Sequence, residues 1–184
     1  LYSRRTDADP AKARERLAQF PAELQNHPVL ESIRREIEAV ERSSVGRPYM
    51  DLALKNADGE TVALSSLAGS GRWVLLDFWA TWCGPCCREI PHLKEAYAAF
   101  SGRGFAIYAV SIDHDAARWR QFLAENSLPW TNVLSPGEGK QSPAAAMYGI
   151  RFIPSNFLIS PDGTIAARNL PGKQLQARLE ELMK

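Results

Sequence analysis

Trp73-Val74-Leu75-Leu76-Asp77-Phe78-Trp79-Ala80-Thr81-Trp82-Cys83-Gly84-Pro85-Cys86 runs from a nearly continuous apolar stretch into a pair of cysteines. The run Trp73 to Ala80 has the composition of a strand covered on both faces, as in a parallel sheet. Apolar residues recur at helical spacing from Pro85 to Phe100, and proline suits a first helical turn because its missing N–H would lack a partner there. Cys83 is therefore expected at a helix N-terminus, where unpaired N–H groups and the positive end of the dipole favour a thiolate. Cys86, three positions on, returns to the same side. One sulfur can attack a disulfide to give a mixed disulfide, and the other can resolve it.

Phe105 to Ile112 (FAIYAVSI) reads as a second buried strand, so strand, helix and strand imply a right-handed crossover. Upstream, Met50, Leu52 and Leu54 alternate with polar residues before Asn56-Ala57-Asp58-Gly59, and Val62 and Leu64 resume the alternation, which predicts a β-hairpin. Downstream, Asp113 is expected to cap a helix ending near Asn126, and Trp130 to Leu134 reads as a short strand. Asn156 to Ser160 and Thr164 to Arg168 flank the turn Pro161-Asp162-Gly163, and a last helix spans about Gly172 to Met183. Residues 1–44 differ: acidic and basic side chains balance, and two helices are expected, about Pro10 to Phe20 and His27 to Arg42. In the second, Val29, Leu30, Ile33, Ile37 and Val40 mark the apolar face, and the charged faces of both read as solvated. Ser43, Ser44, Gly46 and Pro48 separate this segment from the rest, giving a helical segment at 1–44 and an α/β domain at 45–184.

The chain has 184 residues, enough to bury a core without staples, and 45% hydrophobic with 23% charged residues excludes a largely disordered chain. A net charge of +1 gives no electrostatic case for nucleic acid or an anionic membrane. No apolar run reaches membrane-spanning length, and no apolar signal core follows Leu1 to Arg5. The start at Leu1 suggests a trimmed chain, which leaves room for a signal, anchor or preceding domain upstream. The three cysteines, Cys83, Cys86 and Cys87, are clustered, which excludes a disulfide framework across the fold. A bridge closing so small a loop restrains the unfolded chain little, so the sulfur is there for local chemistry. The alternatives are half of a zinc site, for which His27, His92 and His114 lack ligand spacing, and a Cys83/Cys87 copper site completed by a distant His. Asp113-His114-Asp115 reads as a helix start and His92 as a solvated helix residue.

Asp77 to Cys86 (DFWATWCGPC) resembles the thioredoxin superfamily. The longer run Cys83-Gly84-Pro85-Cys86-Cys87-Arg88-Glu89-Ile90-Pro91 is similar to the CxxCxxExP of bacterial-envelope thiol-disulfide oxidoreductases of the TlpA/ResA type. The resemblance covers residues 49–184. It implies a thioredoxin-like fold with a central mixed sheet, an N-terminal hairpin and an inserted helix and strand. It also implies reduction of protein disulfides at Cys83-Cys86, with no bound cofactor and no metal. Partners would be extended segments containing cystines and an upstream dithiol donor, such as a membrane reductase domain. In some envelope members a helical segment like 1–44 links the reductase to a preceding domain or tether. The expected location is the periplasm or cell envelope, with the cytoplasm as alternative. If Cys83 shares the thiol pKa near 7 of thioredoxins, thiolate at pH 7 rises from about 3% to about 50%, yet lost nucleophilicity leaves only about a threefold gain. The reduced form gains about 0.4 kcal/mol, below about 10 mV, so the potential must be set mainly by other groups.

By resemblance, Ile153-Pro154 is the cis-proline site facing the CxxC, where the backbone of Ile153 pairs with substrate, although Ser155-Asn156 replaces the usual Thr-Thr or Thr-Phe. Asp77 matches the buried acid that takes the proton of the resolving cysteine; an Asp in an apolar strand is costly unless paired or neutral, and burial raises its pKa towards a useful base. Glu89 matches the acid of the extended motif and lies three residues beyond Cys86, either assisting proton transfer or simply solvated. Trp82 is expected to form an apolar lip of the substrate groove, Phe78 and Trp79 to be core, Pro91 to kink its helix, and Cys87 to be an inert, partly buried thiol. A peroxidase of the peroxiredoxin type is the main rival, but its Pro-x-x-x-Thr-x-x-Cys pattern is absent, since no proline lies between Arg72 and Cys83.

Overall fold

The computed structural model describes residues 9–137 and 141–184. Two helices come first, α1 (Pro10–Ala18) and α2 (Pro28–Arg42), then the strands β1 (Ala53–Asn56) and β2 (Thr61–Ala63) of the hairpin. The central unit is β3 (Trp73–Trp79), α3 (Gly84–Phe100), β4 (Phe105–Ser111), α4 (Ala116–Asn126) and β5 (Thr131–Leu134). A short α5 (Pro143–Met147), the antiparallel pair β6 (Ser155–Ile159) and β7 (Ile165–Arg168), and α6 (Gly172–Leu182) complete the chain. The seven strands form one sheet in the order β2-β1-β5-β4-β3-β6-β7, with β3, β4 and β5 parallel and the outer strands antiparallel.

β3 lies between β4 and β6, which explains its unbroken apolar run: both its edges are paired and both its faces are covered. Alternation along it puts Val74, Leu76 and Phe78 in one core with Tyr108, Tyr148 and Phe157. Leu75 and Trp79 face the other core, built with Ile90, Leu93 and Phe100 of α3, Trp119 of α4, and Leu175 and Leu179 of α6. Asp77, between Leu75 and Trp79, is carried to the face that α3 covers. Sequence periodicity thus decides which side of the sheet receives the buried acid.

Several expectations change. Asp115, not Asp113, caps α4, its carboxylate accepting from Ala117 N and Arg118 N. Asp113 is 1% exposed and accepts from Thr81 N at 2.9 Å, Thr81 Oγ1 at 2.7 Å and Ser111 Oγ at 2.6 Å. Three hydrogen bonds to one carboxylate offset its burial and pin the loop leading to Cys83. Leu64 opens a 3₁₀ turn and does not extend the second hairpin strand. Val29 is exposed, so the buried stripe of α2 is carried by Leu30, Ile37 and Ala39. The helix α3 holds Pro91 within it and ends at Phe100, the end that the sequence predicts.

The helical segment packs on the α/β domain. Ser43 Oγ, fully buried, donates to Tyr148 O at 2.9 Å. Gly149 has φ +65°, and a Cβ there would come within 2.8 Å of Val40 Cγ2 and 2.9 Å of Val40 N. Gly149→Ala therefore combines a left-handed backbone with a clash against α2, and is expected to lower stability by about 2–4 kcal/mol. Urea unfolding checks this; an unchanged midpoint would mean that α2 lifts away without cost.

Candidate active site

Cys83 is the N-cap of α3 and Pro85 lies in its first turn, so the helix starts where the sequence places it. Cys83 and Cys86 are joined in a disulfide. Cys83 Sγ accepts from Cys86 N at 3.2 Å, one of the helix-start N–H groups that otherwise lacks a partner. Both cysteines are buried as residues, whereas Trp82 is 54% exposed and Gly84 and Pro85 are open to solvent. The Ile153-Pro154 peptide bond is cis. Pro154 is exposed and Ile153 half-buried.

A hollow of about 280 Å³ opens beside the disulfide, with Cys86, Asp77, Glu89 and Pro154 in its walls. Behind it, a much smaller cavity again touches Asp77 and Cys86, closed by Trp79 and Trp130. Asp77 and Cys86 thus share the walls of both spaces. Burial, reinforced by the negative charge of Glu89, pushes the Asp77 carboxyl up to about 7. A carboxyl in that range can hold or release a proton near neutrality, as a proton acceptor for a thiol must.

Glu89 is not simply solvated: its Oε2 accepts from Gly172 N at 2.6 Å, the first residue of α6. The carboxylate takes up an unpaired N–H of that helix, in the favourable field of its N-terminus, while facing the hollow. Sequence reasoning missed this bond because its partners are 83 positions apart. Asn156, which departs from the familiar pattern, is used internally. Its Nδ2 donates to Leu170 O and its Oδ1 accepts from Leu170 N, each at 2.8 Å.

Cys87 is the free cysteine, half-buried, with its Sγ 3.6 Å from Thr81 O as donor. Burial and the charge of Asp113 raise its pKa, which keeps it a thiol and a poor nucleophile. Phe78 and Trp79 are core residues, as expected. His92 is half-buried, 3.6 Å from Glu95. Among the described residues no three His, Cys, Asp or Glu side chains gather as a metal site, and no helix is long and apolar enough to cross a membrane.

A cystine at the start of a helix, at the end of a central parallel strand, with a buried acid behind it and a cis-proline beside it, defines a thioredoxin-fold thiol-disulfide oxidoreductase. The chain belongs to the AhpC/TSA family, whose model matches residues 45–168. It is 28% identical over 144 residues to the thiol-disulfide oxidoreductase ResA of Bacillus thuringiensis subsp. konkukian, covering 78% of this chain and 79% of the relative. With ResA of Oceanobacillus iheyensis it shares 36% identity over 125 residues, 66% of this chain and 62% of that one. Among solved structures, the thioredoxin domain of a thiol-disulfide oxidoreductase from Bacteroides vulgatus superposes with a TM-score of 0.70 at 30% identity, over 77% of this chain and 99% of that one.

Proposed function

We propose that the protein reduces cystines in other proteins. The cystine at Cys83-Cys86, set against Asp77, is the observation that carries this reading. In the reduced protein the Cys83 thiolate attacks one sulfur of the substrate cystine. The S–S bond breaks, the first substrate thiolate leaves, and Cys83 is held in a mixed disulfide. Asp77 accepts the proton of Cys86, whose thiolate attacks Cys83 Sγ and expels the second substrate thiolate. Two electrons have then passed from the protein dithiol to the substrate, and both substrate sulfurs end as thiols once protonated.

Substrate lies across Trp82 and the ridge at Ile153-Pro154. Among the described residues no protein group bonds to the N–H or C=O of Ile153, so both are available to an extended segment. Glu89 is a positioning residue: it ties α3 to α6 and adds negative charge behind Asp77. A second dithiol protein returns the electrons, and the likeness to envelope reductases supports action outside the cytoplasm, with residues 1–44 preceding the catalytic domain 45–184.

A redox titration of the Cys83-Cys86 couple tests the direction. A midpoint more negative than about −200 mV, on the thioredoxin side of the known range, is expected. A midpoint near about −120 mV would make the protein an oxidant and overturn the reading.

A further inference from the structure

A second hollow, of about 590 Å³, has Ile153 in its wall and shares Phe152 with the hollow beside Asp77. Its apolar walls are Trp82, Ile112, Ala145, Ile150, Phe152 and Ile153, and its polar groups are Glu36, His114 and Arg151 beside Gln141 and Ser142. Trp82 immediately precedes Cys83, and Ile153 immediately precedes the cis-proline. The groove is therefore continuous with the place where a substrate cystine must sit. Trp82 and Phe152, 54% and 56% exposed, leave large apolar surfaces open at its mouth.

One wall comes from the helical segment. Glu36 of α2 pairs with Arg151, Oε2 to Nη2 at 2.9 Å. The turn that carries Arg151 is the one against which α2 is seated, through Ser43 on Tyr148 O and the close approach of Gly149 to Val40. The position of Glu36 in the groove is thus fixed by tight packing.

We infer that residues of the N-terminal helical segment belong to the substrate-recognition surface: the Glu36–Arg151 pair closes the far end of a groove that receives a bulky apolar side chain from the polypeptide flanking the target cystine. This rests on the reading that Cys83 exchanges with protein cystines. While Cys83 exchanges with a protein cystine, the chain that carries this cystine passes Trp82 and Ile153 at the mouth of the groove, which puts a polypeptide neighbour of the cystine in reach of it. The apolar walls select its side chain, and the ion pair keeps the end of the groove closed without an unpaired charge facing the occupant.

The test uses the full chain with two cystine peptides that differ only in carrying Phe or Ser near the cystine, and a small aromatic disulfide as common denominator. Wild type is expected to favour the Phe peptide by about tenfold in kcat/KM. Glu36→Lys, which sets like charges against each other, is expected to cut that preference at least fivefold through KM. The exchanged pair Glu36→Lys/Arg151→Glu is expected to recover it. No preference in wild type, an equal preference in Glu36→Lys, or a loss that the exchanged pair fails to recover would each overturn the assignment. If wild type reduces neither peptides nor the small disulfide, the reductase reading falls. The groove is then judged on oxidised protein with a Phe peptide whose cysteines are serines, titrated by tryptophan fluorescence. Binding weakened at least fivefold by Glu36→Lys upholds it, and absent or unaltered binding overturns it.

Discussion

Cys86→Ser protein, reduced and mixed with oxidised insulin, is expected to accumulate a covalent Cys83-insulin adduct and to lose at least about 10³-fold in turnover. Attack by Cys83 needs only its own thiolate at the start of α3, which the serine leaves in place, so the first bond still forms. Resolution needs the sulfur of residue 86, and its removal strands the mixed disulfide. Cys83→Ser is expected to lose turnover equally and to form no adduct, because Cys86 lies inside the first turn of α3 against Asp77 and the inner cavity, whereas Cys83 caps that helix next to the exposed Trp82. Non-reducing gels and mass spectrometry distinguish the two variants. Absence of an adduct from Cys86→Ser while wild type is active would remove the two-step mechanism. Peroxide consumption that persists without Cys86 would put a peroxidase in its place. Cys87 does not rescue the variant, since burial and Asp113 hold it as a thiol.

Asp77→Asn is expected to change both stability and pH dependence. Folding raises the Asp77 carboxyl from 3.8 to about 7, so between those values the native state binds a proton that the unfolded chain releases. The protonated group favours the native state fully below about pH 4, and that advantage is lost as pH rises towards 7. Three pKa units correspond to about 4 kcal/mol, the upper bound on what the oxidised wild type gives up by pH 8. Asp77→Asn escapes this loss and should be more stable than wild type at pH 8, with little difference at pH 3.5. Denaturant midpoints across that range check it, and parallel pH profiles for the two proteins would contradict it. In turnover the variant should lose about a hundredfold, along with the rise in rate as Asp77 ionises through pH 7. Greater stability with slower resolution separates a proton acceptor from a packing residue, whose replacement would lower stability at every pH.

Both effects depend on features legible in the sequence, and their legibility has a local cause. The run at 73–80 becomes β3 because unbroken apolar composition suits a central strand, and alternation alone places Asp77 on the side of α3. The helix start is written in Cys83-Gly84-Pro85. The errors lie where several local solutions compete. Asp113 and Asp115 are equally good caps on paper, and only the fold brings Thr81 and Ser111 to the first. The five-residue α5 is too short to show a period, and its start depends on a buried Ser142 that bonds Ser135 seven residues earlier. Val29 carries the right residue type for a buried face, yet among the described residues no element covers that side of α2. Glu36 in the groove and Glu89 on Gly172 are invisible beforehand because each needs a partner brought from far along the chain.

The bond from Gly172 N to Glu89 turns the last helix into a gauge of events at the cystine. Opening the disulfide frees the Cys86 thiol one turn before that carboxylate, and the charges of Glu89 and Asp77 act on each other. The ¹H-¹⁵N chemical shift of the Gly172 amide should therefore follow reduction and the ionisation of Asp77, giving a probe-free spectroscopic readout of the redox state.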